Sequence, residues 1–327
     1  MFDLPSILRA PELLDKAFGR AAKRTVKGRD RATRTKELAV ARVRTAGDTL
    51  ESTLRTYVKR FPSVDRLPPF YRELVDILVD RNNLKHHLGA VDWAADRIAN
   101  MKREYVRRMD RGGLGELPSL RKESVGRMAS VVNQIGKNLD ALVDARIALR
   151  RLPFLDPDLP TVVVAGYPNV GKSAFVRAVS SGRPKVASYP FTTKGVSLGH
   201  LDAGDRRIQV LDTPGLLDRP MEKRNRIERQ AIAALAHVAD VVVFILDPTE
   251  TCGYPIDAQL HLLATVQDVF REVPCVVAEN KSDLSETSAG YPRMSCETGA
   301  GVREVLDLAL SKLTSRGPGG APRREAP

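Results

Sequence analysis

The 327-residue chain is poor in cysteine; Cys252, Cys275 and Cys296 are the only three. None forms a CxxC pair or stands at zinc-ligand spacing. That excludes a disulfide scaffold and a zinc ribbon, and a reducing compartment is expected. The five histidines offer no metal pattern, since His86 and His87 are adjacent and His200, His237 and His261 are scattered. Aromatic residues make up only 5% of the chain, which argues against recognition of single strands by base stacking. No apolar run approaches the ~20 residues of a membrane helix. The longest, Thr161–Ala165 and Val241–Leu246, have the length of buried parallel strands. No basic amphipathic helix with an exposed aromatic face stands out, so a membrane-surface module is disfavoured. The start, Met1-Phe2-Asp3, opens no basic-then-apolar leader, and the expected location is the cytoplasm.

Acidic charge is also scarce, but in one half only. Residues 1–152 carry 32 basic and 19 acidic side chains, and residues 153–327 carry 20 and 21. The net +12 of the chain therefore resides in its N-terminal half. A basic module joined to a near-neutral one points to a polyanion as partner.

The basic half reads as an all-α bundle over 1–152. A helix is predicted from about Thr33 to Arg60, stopping before Pro62. Leu67-Pro68-Pro69 marks a fresh start, with Phe70, Leu74, Ile77 and Leu78 on one face. Helical periodicity resumes around Leu88–Met109. After the Gly112–Gly115 turn, one last helix is predicted from about Leu120 to Arg150, striped by Val125, Met128, Val132, Ile135, Leu139 and Leu142. Pro153, Pro157 and Pro160 suggest a stiff linker over 153–160. From Thr161 to about residue 314, short β-branched runs alternate with helix-length segments. This predicts an α/β domain with a mainly parallel sheet, and a hairpin near Val196–Leu201 and Arg207–Leu211. The Gly/Pro/Arg-rich tail over 315–327 is expected to be disordered.

The near-neutral half holds the chemistry. Gly166-Tyr-Pro-Asn-Val-Gly171-Lys172-Ser173 matches GxxxxGK[ST] between a strand and a helix, the context of a P-loop. Gly166, Pro168, Asn169, Val170, Gly171 and Ala174 are expected around the phosphates, whose oxygens the backbone amides would cradle. Lys172 is expected on the β- and γ-phosphates and Ser173 on Mg²⁺. Asp212-Thr-Pro-Gly215 closes a later strand. Its aspartate is expected to hold Mg²⁺ through water, and the Gly215 amide to sense the γ-phosphate. Asn280-Lys281-Ser-Asp283 follows the strand Cys275–Ala278. The Asp283 carboxylate can accept both the N1 proton and the exocyclic amine of guanine, which adenine cannot offer, so GTP/GDP is the expected ligand. Asn280 is expected to tie this loop to the P-loop, the Lys281 stem to lie along the base, and an amide of Ser295-Cys296-Glu297 to meet the guanine O6. Between the first two motifs lies Tyr189-Pro-Phe191-Thr192-Thr193-Lys194. A threonine here can add a hydroxyl to Mg²⁺ and an amide to the γ-phosphate, and release both on hydrolysis. Thr193 is the first choice and Thr192 the second. Leu216 stands where many GTPases place a water-orienting glutamine, so hydrolysis is expected to be slow without help.

These motifs, the long run from Asp212 to His237, and Asp247-Pro-Thr-Glu-Thr-Cys-Gly253 resemble the Nog-type nucleolar GTP-binding proteins, relatives of the Obg-like GTPases. The resemblance extends to Phe61–Asp65, Pro69–Tyr71, Gly126–Met128 and Arg151–Pro153. The length resembles the short archaeal form, without the C-terminal extension of longer members. The resemblance implies a Ras-like P-loop GTPase domain preceded by a helical domain that grips rRNA, acting in assembly of the large ribosomal subunit. Nothing in the sequence demands a dimer, and a monomer is expected. A GTPase in another RNA-centred task, tRNA modification or translation, is the alternative. Asn169 resembles the residue that helps hold K⁺ in potassium-stimulated relatives, where the cation supplies charge an arginine finger otherwise gives.

Overall fold

The computed structural model describes residues 4–27, 30–150, 152, 155–156, 158–187, 189, 195–219, 222 and 224–313. The expectations for Phe191, Thr192, Thr193 and the tail fall outside these residues. By its contacts the chain divides into two units: Met1–Arg66 with Leu78–Arg150, and Leu67–Ile77 with Arg151–Pro327.

The first unit is a helical bundle. Helix α1 (Ala10–Ala22) has Pro11 in its first turn, where no amide is needed. Helix α2 (Arg31–Arg60) begins on Asp30, which accepts the Thr33 amide at 2.8 Å, and stops at Phe61, just before Pro62. It buries Val43, Ala46, Leu50, Leu54 and Tyr57. Gly47 permits close approach, since a Cβ there would run into the Lys102 side chain. That lysine bridges Asp48 and Glu51 of α2 at 2.6 and 2.7 Å.

Helix α4 (Arg81–Arg111) starts seven residues before the periodicity that announced it. Its first turn, Arg81-Asn82-Asn83, is polar, and the start is set by Asp80 accepting the Asn82 and Asn83 amides. At its other end Lys36 donates to the carbonyls of Asp110 and Gly112, capping free acceptors. The last predicted helix is two, α5 (Leu117–Gln134) and α6 (Gly136–Arg150). The break falls at Ile135, beside a glycine that disfavours continuation. Ile135 remains 2% exposed, so the apolar stripe survives the break and conceals it. Val125, expected in that stripe, is only half-buried.

Helix α3 (Pro69–Val79) groups by its contacts with the second unit as far as Ile77, where its sequence position suggested the bundle. Phe70, Leu74 and Val75 are buried; Ile77 and Leu78 are half-buried. The Tyr71 hydroxyl donates to Leu155 O and accepts from Leu155 N. Asp156 exchanges two hydrogen bonds with the Gln209 side chain. These described residues of the expected linker are therefore docked.

The second unit carries a six-stranded sheet in the order β2-β3-β4-β1-β5-β6. These strands are β1 (Thr161–Ala165), β2 (Lys185–Ala187), β3 (Val196–Ala203), β4 (Arg206–Asp212), β5 (Val241–Leu246) and β6 (Cys275–Glu279). β1 pairs parallel to β4 and β5, β5 to β6, while β2-β3-β4 run antiparallel. The β3–β4 hairpin turns on Gly204 at φ +60°, a backbone glycine adopts freely. β1 and β5 are buried throughout, as central parallel strands must be. Helices α7 (Lys172–Val179), α8 (Arg226–Ala236), α9 (Ile256–Val269) and α10 (Val302–Lys312) complete the unit. No described helix is long and apolar enough to cross a membrane.

Candidate nucleotide-binding site

β1 ends at Ala165, and the chain reaches α7 through Gly166–Gly171. Three of these residues have positive φ: Gly166 at +137°, Asn169 at +63° and Gly171 at +107°. Asparagine tolerates the left-handed region better than most residues, and exposed Asn169 uses it. At Gly171 a Cβ would collide with the Asn280 amide. The loop therefore admits no side chain where Asn280 of the third motif approaches it. Lys172 is buried and donates to Gly166 O at 2.8 Å and Tyr167 O at 2.7 Å. Burial holds its ammonium below the usual lysine pKa. Pro168, Val170 and Ala174 line the same turn, Val170 fully buried.

β4, next to β1, delivers Asp212 beside the start of α7. Ser173 Oγ donates a short hydrogen bond to Asp212 Oδ2. Asp212 is 1% exposed, and its other oxygen, Oδ1, has no partner among the described residues. Burial raises its carboxyl above the usual range. A hydroxyl beside a buried carboxylate with an unsatisfied oxygen is a hard-oxygen donor set, which fits Mg²⁺. Gly215 follows at φ +81°, and its N–H is donated to Asp218 Oδ2 at 2.8 Å. Leu216 is buried and presents no polar group to a water.

β6 delivers the third motif. Asn280 Nδ2 donates to Val170 O at 2.8 Å, and its Oδ1 accepts from the Cys296 amide at 2.9 Å. One buried side chain thus joins three loops. The second bond narrows the O6 expectation. The Ser295 amide goes to Ala300 O and the Cys296 amide to Asn280, so Glu297 keeps the uncommitted amide of the three. Burial pushes the Cys296 thiol up to about 11, far from reactive. Asp283 is exposed, with its carboxylate free of described partners.

Lys281, at φ +66°, places its ammonium 2.6 Å from Asp247 Oδ2 and 2.8 Å from Thr251 Oγ1. Sequence reasoning missed this hub. Asp247 is fully buried and also accepts from Thr249 and from the Cys252 amide. Burial pushes its carboxyl up, but the Lys281 ammonium, the Thr249 hydroxyl and the Cys252 amide together hold it below the usual range. The available signal was the Asp247–Gly253 run that follows β5, in which Asp247 precedes two threonines.

A phosphate cradle after β1, the acidic turn after β4 and the Asn280 tie after β6, all at the carboxyl ends of parallel strands, define a P-loop GTP-binding domain. Residues 3–156 match the NOG1 N-terminal helical domain family, and residues 226–283 match the family Nucleolar GTP-binding protein 1 (NOG1). An uncharacterised protein of Methanocaldococcus jannaschii is 40% identical over 86% of this chain and 80% of its own length. Nucleolar GTP-binding protein 1 of Saccharomyces cerevisiae is 35% identical over 95% of this chain and 52% of its own length. A crystal structure of a Plasmodium falciparum protein of that description shares 35% identity over 50% of this chain and 90% of its own, at a TM-score of 0.45. The chain belongs to the NOG1 family, and it spans about half the length of the yeast relative.

Proposed function

We propose that this protein hydrolyses GTP and uses the nucleotide state to control its grip on rRNA during assembly of the large ribosomal subunit. The observation that carries the RNA half of this reading is the exposed face of α4. Asn100, Arg103, Glu104, Arg107, Arg108 and Arg111 follow at spacings of three and four and line one groove. Arg108 pairs with Glu104 and Glu123. Arg107 and Arg111 pair with no carboxylate among the described residues. Uncompensated guanidinium groups along a helix suit a phosphate backbone, which they would bind with release of counterions. Such a surface reads RNA by shape and backbone.

In the nucleotide unit, Lys172 would exchange the Gly166 and Tyr167 carbonyls for β- and γ-phosphate oxygens. Thr193, with Thr192 as second choice, would close on the γ-phosphate. Asp283 would select guanine and the Glu297 amide would meet its O6. Ser173, Asp212 and Thr193 would hold Mg²⁺, which when bound neutralises charge on the phosphates. With Leu216 buried, Asn169 is the residue that would hold a K⁺ beside the phosphates, and unassisted turnover is slow.

Sedimentation of tagged protein from lysate, with and without a non-hydrolysable GTP analogue, tests the assignment. Comigration with large subunits or their precursors is expected. Comigration with tRNA alone would move the protein to another RNA-centred task. The double variant Arg107→Ala/Arg111→Ala is expected to weaken rRNA binding and to lower the slope of log affinity against log salt by about 2. An unchanged slope removes this face from the interface.

A further inference from the structure

The turn after β4 contains a closed ring of interactions that the nucleotide reading does not use. Asp218 Oδ2 accepts the Gly215 N–H at 2.8 Å. Asp218 Oδ1 accepts from Arg224 Nη2 at 3.1 Å, and Arg224 Nη1 donates to Gly215 O at 2.6 Å. One aspartate and one arginine thus clamp both ends of a single residue. The Arg224 side chain is fully shielded from solvent, and its Nε has no partner among the described residues. A buried guanidinium with an idle donor is an unusual thing to keep in a turn.

The ring also lies at the phosphate end of the site. Leu217, immediately before Asp218, accepts the amide of Gly166, the first glycine of the P-loop, at 3.1 Å. An anion therefore already stands on the amide that would sense the γ-phosphate.

We propose that Asp218 is an internal stand-in for the γ-phosphate, and that Arg224 is handed from this carboxylate to the γ-phosphate when GTP binds. The proposal rests on the GTP-binding reading and adds a residue that distinguishes GTP from GDP. Two anions cannot share the Gly215 amide, so GTP must displace the carboxylate. A buried guanidinium stripped of its carboxylate is costly, because its charge is left uncompensated. Phosphate oxygens replace a carboxylate well, since both match the planar fork of arginine. GDP has no γ-phosphate and leaves the ring closed. The same arginine would bring to the γ-phosphate a positive charge that Leu216 cannot.

The test is a titration of the full chain with fluorescent GDP and with a fluorescent non-hydrolysable GTP analogue. Asp218→Asn removes the competing charge and frees Arg224. It is expected to tighten the analogue about tenfold and leave GDP within about twofold. Arg224→Gln is expected to weaken the analogue about tenfold, again sparing GDP, with Arg224→Lys in between. Equal shifts for both nucleotides, or none, overturn the proposal. Asp218 is partly exposed, so its amide variant decides the question even if Arg224→Gln does not fold. A wild-type protein that binds neither nucleotide would instead refute the GTP-binding reading itself.

Discussion

The two ends of the nucleotide site are built on opposite terms. At the base end the side chains that tie the recognition loops together are committed, and only Glu279 Oε2, at the end of β6, lacks a partner among the described residues. Asn280 joins Val170 to Cys296, and Lys281 is locked on Asp247. At the phosphate end buried atoms are left wanting, namely Asp212 Oδ1 and Arg224 Nε. Lys172 there is lodged on two carbonyls that another acceptor can replace. Fully satisfied networks are rigid, and partly satisfied ones store a readiness to rearrange. The contrast suits a protein that must always recognise guanine but must respond to one phosphate.

The contrast breaks most severely at Asn280. Asn280→Ala removes both ties and leaves the Val170 carbonyl and the Cys296 amide without partners, at about 1–3 kcal/mol each. Affinity for GTP and GDP is expected to fall together by more than about a hundredfold, with a lower melting temperature even without nucleotide. Titration and thermal melting read both effects. Loss of only one nucleotide would mean that the base end is not the common brace. At the phosphate end, GTP turnover is expected to be faster in KCl than in NaCl at equal ionic strength, by about tenfold if K⁺ supplies the missing charge. Equal rates would sink the role given to Asn169.

The smallest effect concerns Asp212. Its carboxyl is raised by burial, so ionising it opposes folding. The stability this group contributes is present below the usual aspartate pKa and lost as pH rises through the raised one. Asp212→Asn is therefore expected to raise the melting temperature at pH 7 by about 2–4 °C in the absence of Mg²⁺. The gain should vanish below about pH 4, while Mg²⁺-dependent GTP binding is lost. A melting temperature unchanged or lowered at pH 7 would contradict the buried, unsatisfied state of this carboxylate.

How much of this was legible depended on how local the cause is. The P-loop, strands β1, β5 and β6 and the β3–β4 hairpin follow from short-range pattern, because glycine turns and β-branched runs act over a few residues; the three-residue β2 carries no such pattern and was not read. Asp80 set the start of α4 through a polar first turn that carries no periodicity. Asp247 and Arg224 escaped notice because their roles exist only through partners brought by folding, Lys281 in one case and the Gly215–Asp218 turn in the other. Helix α3 was read correctly as a helix, but its contacts up to Ile77 group it with the second unit. Its apolar face says that something covers it, but not what.

That placement has a consequence for how the chain is made. Phe70 faces the Tyr189 ring at 6.4 Å, Tyr71 holds Leu155, and Glu73 Oε1 accepts from His237 Nε2 at 2.8 Å. All three partners emerge from the ribosome only after α4, α5 and α6. Domains fold as units and N-terminal ones first. The bundle can therefore close while α3, though synthesised in its midst, still waits with Phe70, Leu74 and Val75 uncovered. A protease cut or a truncation just ahead of β1 would not release an intact G domain, because the cut leaves one of its helices behind. The GTP-binding unit is thus the last part of the described chain to be completed, and it is completed with a piece made near the beginning.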